Sequence, residues 1–281
     1  MPATWLYVPA PRVPDRLAKA GVASDGVIID LEDATHPSQR PEARALLADL
    51  APVTGTALAV RVNHVHSDDF ALDVAAVGPL LAAGVIAEIH LPKVESASDV
   101  AKALELTSRY ADRRAHLGCL IESARGLRFA HEIAEAPGVC GISLGEADLR
   151  ADLRLPRGER ADEGLLLARL SVVQASRAAG LPAPRGSVFA NIKDLEGLRT
   201  SCEGLRRLGF WGRSVIHPGQ VATVRAVFEP TDAELEWAHS VASRAEGMEL
   251  EGTASVALPD GSFIDPAIVR QAHDLIARAT A

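Results

Sequence analysis

Eight apolar runs in this 281-residue chain are nearly continuous rather than alternating, and that property limits the fold more than any other. A strand with one wet face alternates apolar and polar residues. A strand covered on both faces does not, and such strands belong to parallel sheets flanked by helices. The runs fall at 4–8, 26–31, 57–62, 85–91, 116–121, 139–144, 185–189 and 213–217. Helix-like segments separate them at 14–20, 41–50, 72–83, 98–110, 127–135, 162–179 and 192–208. Gly21, Gly84, Gly180 and Gly209 follow four of these, as left-handed caps do.

Eight strand-like runs alternating with helices predict a (β/α)₈ TIM barrel over residues 1–228. An open doubly wound sheet is the competing architecture, but no Gly-rich fingerprint follows the first run. After Pro218 the texture changes. Helices are expected at 218–227, at 232–246 and from Pro266, with hairpin character between Val256 and Asp265. Residues 229–281 are therefore expected to form a C-terminal helical and hairpin extension, packed on its own barrel or on a neighbour's.

A hydrophobic fraction of 48% supplies the core that a barrel needs. The net charge of −8 comes from interspersed acids and bases, which leaves no electrostatic footprint for nucleic acid. No apolar stretch approaches the ~18 residues of a membrane span, and the start Met1-Pro-Ala-Thr-Trp5 lacks the basic region of a signal peptide. Cys119, Cys140 and Cys202 are odd in number and far apart, fitting neither a disulfide framework nor a zinc motif. A reducing cytoplasm is the expected location.

Five of the runs close on charged or strongly polar residues: Glu32 and Asp33, Arg61 and Asn63, Lys93, Glu122, and Asp148. Buried carboxylates require partners or a metal, and in a barrel these ends form the rim that carries the active site. Glu122 and Asp148, on neighbouring strands with no Cys or His cluster nearby, suit a hard cation such as Mg²⁺. Alternatively Asp148 caps the following helix and Glu122 pairs with Arg125. Arg61 offers bidentate recognition of a carboxylate or an enolate-type oxygen, or else a structural ion pair with Glu32 or Asp33. Asp30, Glu32 and Asp33 cannot all be ligands, so at least one orients a neighbour. Lys93 is a candidate Schiff-base residue, but a rim crowded with carboxylates keeps it protonated, which favours charge balance or substrate contact. The turn Leu144-Gly145-Glu146-Ala147 presents backbone N–H groups to an anion as a helix begins. None of the nine histidines forms a metal-binding spacing, and Ser123 and Ser143 lack a nucleophile elbow.

Seven segments taken in order carry a resemblance: Trp5–Ala10, Ile28–Ala34, Arg61–Asn63, Leu91–Ser96, Ile121–Gly126, Leu144–Leu149 and Ile216–Gln220. Together they resemble the citrate lyase β-subunit-like family of the HpcH/HpaI aldolase/citrate lyase superfamily. The resemblance implies a (β/α)₈ barrel with a C-terminal extension, commonly a homotrimer. It also implies Mg²⁺-dependent cleavage or condensation of a 3-hydroxyacyl thioester through an enolate, with an acyl-CoA and a keto acid as small-molecule partners. Malyl-, citramalyl- and hydroxymethylglutaryl-CoA are the esters implied. Carried over by motif, Glu122 and Asp148 match the metal ligands and Arg61 the substrate-binding, catalytic arginine. Gly145, Glu146 and Ala147 match the substrate-carboxylate turn, with Glu32 and Lys93 also on the substrate side. Asp265, in Phe263-Ile-Asp265, matches a tail acid/base that often serves a neighbouring subunit's site. The chain departs at Thr35–Arg40, where a Val and a Pro-x-x-Lys stretch are usual, at Gly145-Glu-Ala-Asp148 in place of Gly-Ala-Glu-Asp, and at Phe263 in place of Met. Other roles with the same motifs are a citrate lyase β subunit acting on an acyl-carrier thioester, a malate-synthase-like condensing enzyme, and a non-catalytic ligand-binding barrel.

Overall fold

A computed structural model describes residues 2–111, 117–156, 161–251, 255–257 and 263–279. The chain divides into two compact units, Pro2–Arg225 and Ala226–Ala281. In the first, strands β1 (Thr4–Pro9), β2 (Gly26–Asp30) and β3 (Ala57–Arg61) alternate with helices α1 (Val13–Ala23), α2 (Arg40–Leu47) and α3 (Asp68–Ala82). Next come β4 (Glu88–Leu91), α4 (Ala97–Thr107), β5 (Leu117–Ile121), α5 (Ala124–Arg128), α6 (Ala130–Ala134) and β6 (Val139–Leu144). Helices α7 (Glu146–Asp152), α8 (Leu166–Ala178) and α9 (Leu195–Arg207) lead to β7 (Arg213–Val215).

The seven strands form one parallel sheet in the order β6-β5-β4-β3-β2-β1-β7. Every residue of β2 is buried, Asp30 included, which is why this run shows no alternation. Val27, Ile29, Val60, Leu58 and Ile89 are at most 2% exposed and make the helix-facing core. Trp5, Ile28 and Ala59 pack together, with Tyr7 against them.

The seventh expected strand, 185–189, contracts to one bridge. Gly186 pairs in parallel with Arg213 and exchanges backbone bonds with Gly212 (3.0 Å) and Ser214 (2.9 Å). Pro182 and Pro184 remove donors just upstream. Beyond Gly186, the Ser187 carbonyl accepts from Arg213 Nε at 2.7 Å instead of joining a ladder. Among the described residues, no strand pairing links this segment to β6. The observed architecture is thus a seven-stranded parallel α/β sheet with a bridging segment beyond its β7 edge.

Two helix ends differ from expectation. α1 runs through Gly21 to Ala23, because a Cβ at Gly21 would stand 2.6 Å from Val53, so this glycine serves packing and not a cap. The run at 85–91 enters the sheet only at Glu88, since the N–H groups of Val85 and Ile86 turn back to Leu80 O and close α3.

Helix α10 (Val221–Phe228) crosses the boundary between the units, and α11 (Asp232–Glu251) follows. A short antiparallel pair, β8 (Val256–Ala257) with β9 (Phe263–Ile264), precedes α12 (Pro266–Ala279). The expected hairpin turn at 258–262 lies outside the described residues. Within this second unit Ala238, Val241, Ile264 and Ala272 form a small core, covered by Ile268, Val269, Leu275 and Ile276. Among the described residues no helix is long and apolar enough to cross a membrane.

Candidate active site

Parallel register sets Asp30, the last residue of β2, beside Arg61, the last of β3. Arg61 Nε and Nη2 donate to Asp30 Oδ1 (2.8 Å) and Oδ2 (2.6 Å). The same two oxygens accept the N–H groups of Glu32 and Ala34, each at 3.0 Å, which hooks the chain after β2 over the strand end. Arg61 is thus a fixed cation, and its Cζ lies 5.0 Å from the Tyr7 ring centroid. Burial opposes its charge, but the Asp30 bonds hold its pKa above the ordinary guanidinium value. Its Nη1 lies 3.0 Å from Glu32 Oε2 and 3.6 Å from Asp33 Oδ2. The Glu32 contact has ion-pair distance without hydrogen-bond direction, so Glu32 Oε2 is buried with no donor among the described residues. The anticipated pair with Glu32 or Asp33 is therefore secondary, and Asp30 is the group that orients the arginine.

Glu122 follows β5 and is 6% exposed. Its Oε2 accepts the backbone N–H of Lys93 at 2.8 Å, a residue held at φ +52°. A Cβ on Gly145 would stand 1.9 Å from Glu122 Oε1, so the glycine is what lets the carboxylate lie there. Burial, and then the charge of Glu32, push the Glu122 carboxyl up to about 7. The Lys93 ammonium bonds Glu32 Oε1 and lies 3.5 Å from Asp148 Oδ2 and 3.9 Å from Asp33 Oδ1. Burial opposes that charge too, but the Glu32 bond outweighs it and keeps the amine protonated well above its ordinary range. That is the opposite of what an imine-forming lysine needs.

A cavity of about 340 Å³ opens here. Arg61, Glu122, Gly145, Ala147 and Asp148 all line it, together with Asp30 and Asp33. Glu32, Lys93 and Glu146 are absent from its lining and are committed to ion pairs around it. Glu146 is gripped by Arg169, whose Nε and Nη2 donate to its two oxygens at 2.8 Å each. Its backbone N–H donates to Ser187 Oγ at 3.2 Å, which ties the bridging segment to the start of α7. Asp265 belongs to the second unit, where its Oδ1 accepts from the N–H groups of Ala267 (2.8 Å) and Ile268 (2.9 Å) and caps α12. Among the described residues neither Glu122 nor Asp148 accepts from a helix N-terminus, and the Glu122–Arg125 alternative gives way to an Arg125–Glu95 contact at 3.8 Å.

The donor set suits a hard divalent cation. Asp30, Glu32, Asp33, Glu122 and Asp148 bring five carboxylates around two cations, Arg61 and Lys93. Burial raises Glu122 first and the charge of Glu32 adds to it, and a divalent ion relieves both the burial of charge and the excess of carboxylates. Among the described residues no three His, Cys, Asp or Glu side chains are grouped to hold a metal. An ion on Glu122 and Asp148 would take its remaining ligands from water and substrate, the habit of Mg²⁺.

Two cavity residues carry no mark in the pattern of downstream strand ends. Arg185 opens the bridging segment and His90 lies in mid-strand, yet both line the cavity. His90 Nε2 is 2.9 Å from Glu88 Oε2 and 3.0 Å from Arg185 Nη2. The available signal was charge inside otherwise apolar runs, at Glu88, His90 and Arg185.

A parallel α/β sheet with an acidic, oxygen-only rim around one fixed arginine defines a class of lyase-like sites, and residues 4–218 match the family model of the HpcH/HpaI aldolase/citrate lyases. The chain belongs to that family. It is 34% identical over 281 residues to a citrate lyase subunit beta-like protein of Mycobacterium tuberculosis, covering 98% of this chain and 94% of the relative. A (3S)-malyl-CoA thioesterase of Cereibacter sphaeroides is 32% identical over 280 residues, with 98% and 94% covered. Among solved structures, CitE from M. tuberculosis in complex with magnesium, acetoacetate and coenzyme A superposes with a TM-score of 0.79 at 33% identity, covering 99% of this chain and 98% of that one. The citrate lyase beta subunit from the same organism, complexed with oxaloacetate and magnesium, gives 0.69 at 35% identity, with 81% and 97% covered.

Proposed function

We propose that this protein is a Mg²⁺-dependent carbon–carbon lyase that cleaves or forms a 3-hydroxyacyl-CoA thioester, with a keto acid as the second partner. The observation that carries this reading is the convergence of Glu122, Asp148 and Arg61 on one cavity, with Glu122 positioned by a backbone N–H. Glu122 and Asp148 would hold the ion, which when bound polarises substrate oxygens as a Lewis acid.

The chain's own groups do the rest. Arg61, immobilised by Asp30, offers Nη1 to an oxygen that gains negative charge when the C2–C3 bond breaks. Preorganised stabilisation of this kind is worth roughly 3–4 kcal/mol per donor. Lys93 stays protonated and balances Glu32, which limits the charge felt by an enolate. Ala147 and Gly145 line the cavity where the helix α7 begins and would meet the keto-acid carboxylate. Asp265, whose Oδ1 caps α12, is the proposed proton carrier. The family resemblance supports further proposals: closure of the sheet into an eight-stranded barrel through the 185–189 segment, a homotrimer, and a cytoplasmic location.

The test is turnover of malyl-, citramalyl-, hydroxymethylglutaryl- and citryl-CoA with and without Mg²⁺. Glu122→Ala and Asp148→Ala should each abolish the metal-dependent rate with the fold intact. Undiminished activity in either variant ends the assignment. The relatives named thioesterases favour one second reading, hydrolysis of the thioester itself. Release of free CoA without a keto-acid product would establish it.

A further inference from the structure

His90 and Arg185 line the cavity and, with Glu88 beside them, form a polar group that the proposed chemistry leaves unused. Glu88 and His90 project from the same face of β4, over Gly118 of β5. A Cβ at Gly118 would stand 2.8 Å from the His90 ring and 3.3 Å from Glu88 Oε2, so the glycine makes room for both. Arg185 reaches in from the bridging segment and stacks 4.3 Å above the Trp5 ring.

The hydrogen bonds of this trio do not close. Glu88 accepts from His90, and that bond, with the charge of Arg185, outweighs burial and holds its carboxyl down at about 2. An ionised Glu88 requires the proton on His90 Nε2. That nitrogen then has no lone pair for Arg185 Nη2, although the two lie 3.0 Å apart. Arg185 Nη2 is also 3.6 Å from Glu88 Oε2, outside hydrogen-bond reach. Nε and Nη1 have no acceptor among the described residues, and Arg185 lines the cavity. A guanidinium carries five N–H donors in a planar fork matched to two carboxylate oxygens. Arg61, by contrast, already has both of its fork nitrogens on Asp30.

We propose that Arg185 is a specificity-determining residue that binds a second carboxylate at the deep end of the substrate, so that the keto acid handled here is dicarboxylic. This rests on the lyase reading for its keto acid, but the binding step is measurable without turnover. Oxaloacetate and pyruvate differ by that one carboxylate and serve as matched probes. A site whose buried donors lose their acceptor rejects the shorter ligand strongly.

Calorimetric titration of the full chain with each keto acid in saturating Mg²⁺ measures the ratio of affinities. Wild type should favour oxaloacetate by about 100-fold or more, in the range expected for a desolvated charge pair. Arg185→Gln should bring the ratio close to one, and Arg185→Lys should recover part of it. Because Arg185→Gln leaves Glu88 short of a cation, the double variant Glu88→Gln/Arg185→Gln provides a neutral floor and should show the same collapse. Equal affinities in wild type, or an unchanged ratio in the double variant, overturn the assignment. Condensation of acetyl-CoA separates the two readings. Turnover with pyruvate and no preference for oxaloacetate removes only the role of Arg185. Oxaloacetate-selective binding without Mg²⁺-dependent turnover removes only the lyase.

Discussion

Glu122→Gln should make the metal-free protein more stable at alkaline pH while destroying its metal-dependent activity. The side chain is 6% exposed, and burial followed by the Glu32 charge lifts its carboxyl from 4.5 to about 7. A carboxyl raised on folding binds its proton more tightly in the folded state. The stability it contributes is therefore complete below 4.5 and is lost as pH rises through about 7. At about 1.4 kcal/mol per tenfold change, that gap is worth about 3 kcal/mol, of which roughly 2.5 kcal/mol falls between pH 5 and 8.5. Glutamine keeps the shape and still accepts the Lys93 N–H, but has no charge to bury. Urea denaturation in EDTA at several pH values across that interval, followed by far-ultraviolet circular dichroism, gives the difference between wild type and variant. Other titrating groups are common to both proteins and cancel. A difference independent of pH, or a variant less stable than wild type at pH 8.5, would refute the account of Glu122 as a strained carboxylate. Adding Mg²⁺ with oxaloacetate at pH 8.5 should stabilise wild type and leave Glu122→Gln unmoved.

Gly145→Ala should lower kcat at least about 100-fold with the fold retained, because the new methyl occupies the place of Glu122 Oε1; Mg²⁺ affinity measured by titration should fall with it. Arg61→Ala leaves Asp30 buried without its cation and should cost about 3–5 kcal/mol in urea melts, far more than an exposed arginine would. Lys93 should yield no covalent adduct when borohydride is added during turnover, as read by intact mass, since its amine stays protonated; a trapped adduct on Lys93 would reverse that conclusion.

Much of the first unit was legible because continuous apolar runs report strands covered on both faces. β1, β2, β3, β5 and β6 lie within two residues of their expected spans. The rim was legible for a related reason, since charges at the ends of buried strands must have partners, and Arg61, Glu122 and Asp148 do share one cavity. Residues 185–189 make one bridge instead of a strand because Gly186 alone among them is buried and the ladder is cut by upstream prolines and by Arg213 taking the Ser187 carbonyl. Partners far apart in sequence were out of reach. Nothing local to Glu146 indicates Arg169, and nothing local to Arg185 indicates Glu88 or His90, because each pair is made by packing of distant segments. Asp30 looked like one of three equivalent acids, and only the register with β3 singles it out.

The lock between Asp30 and Arg61 also bears on how such a protein can change over generations. Asp30 holds Arg61 through two bonds and the loop after β2 through two more. Replacing either residue alone strands a buried charge and loosens a loop, so lineages carrying the single change are at a disadvantage before any compensating change arrives. The chemistry at that corner is consequently hard to revise one codon at a time. Positions such as Arg185, joined to the scaffold by fewer bonds, are where a gene duplicate can acquire a new substrate preference.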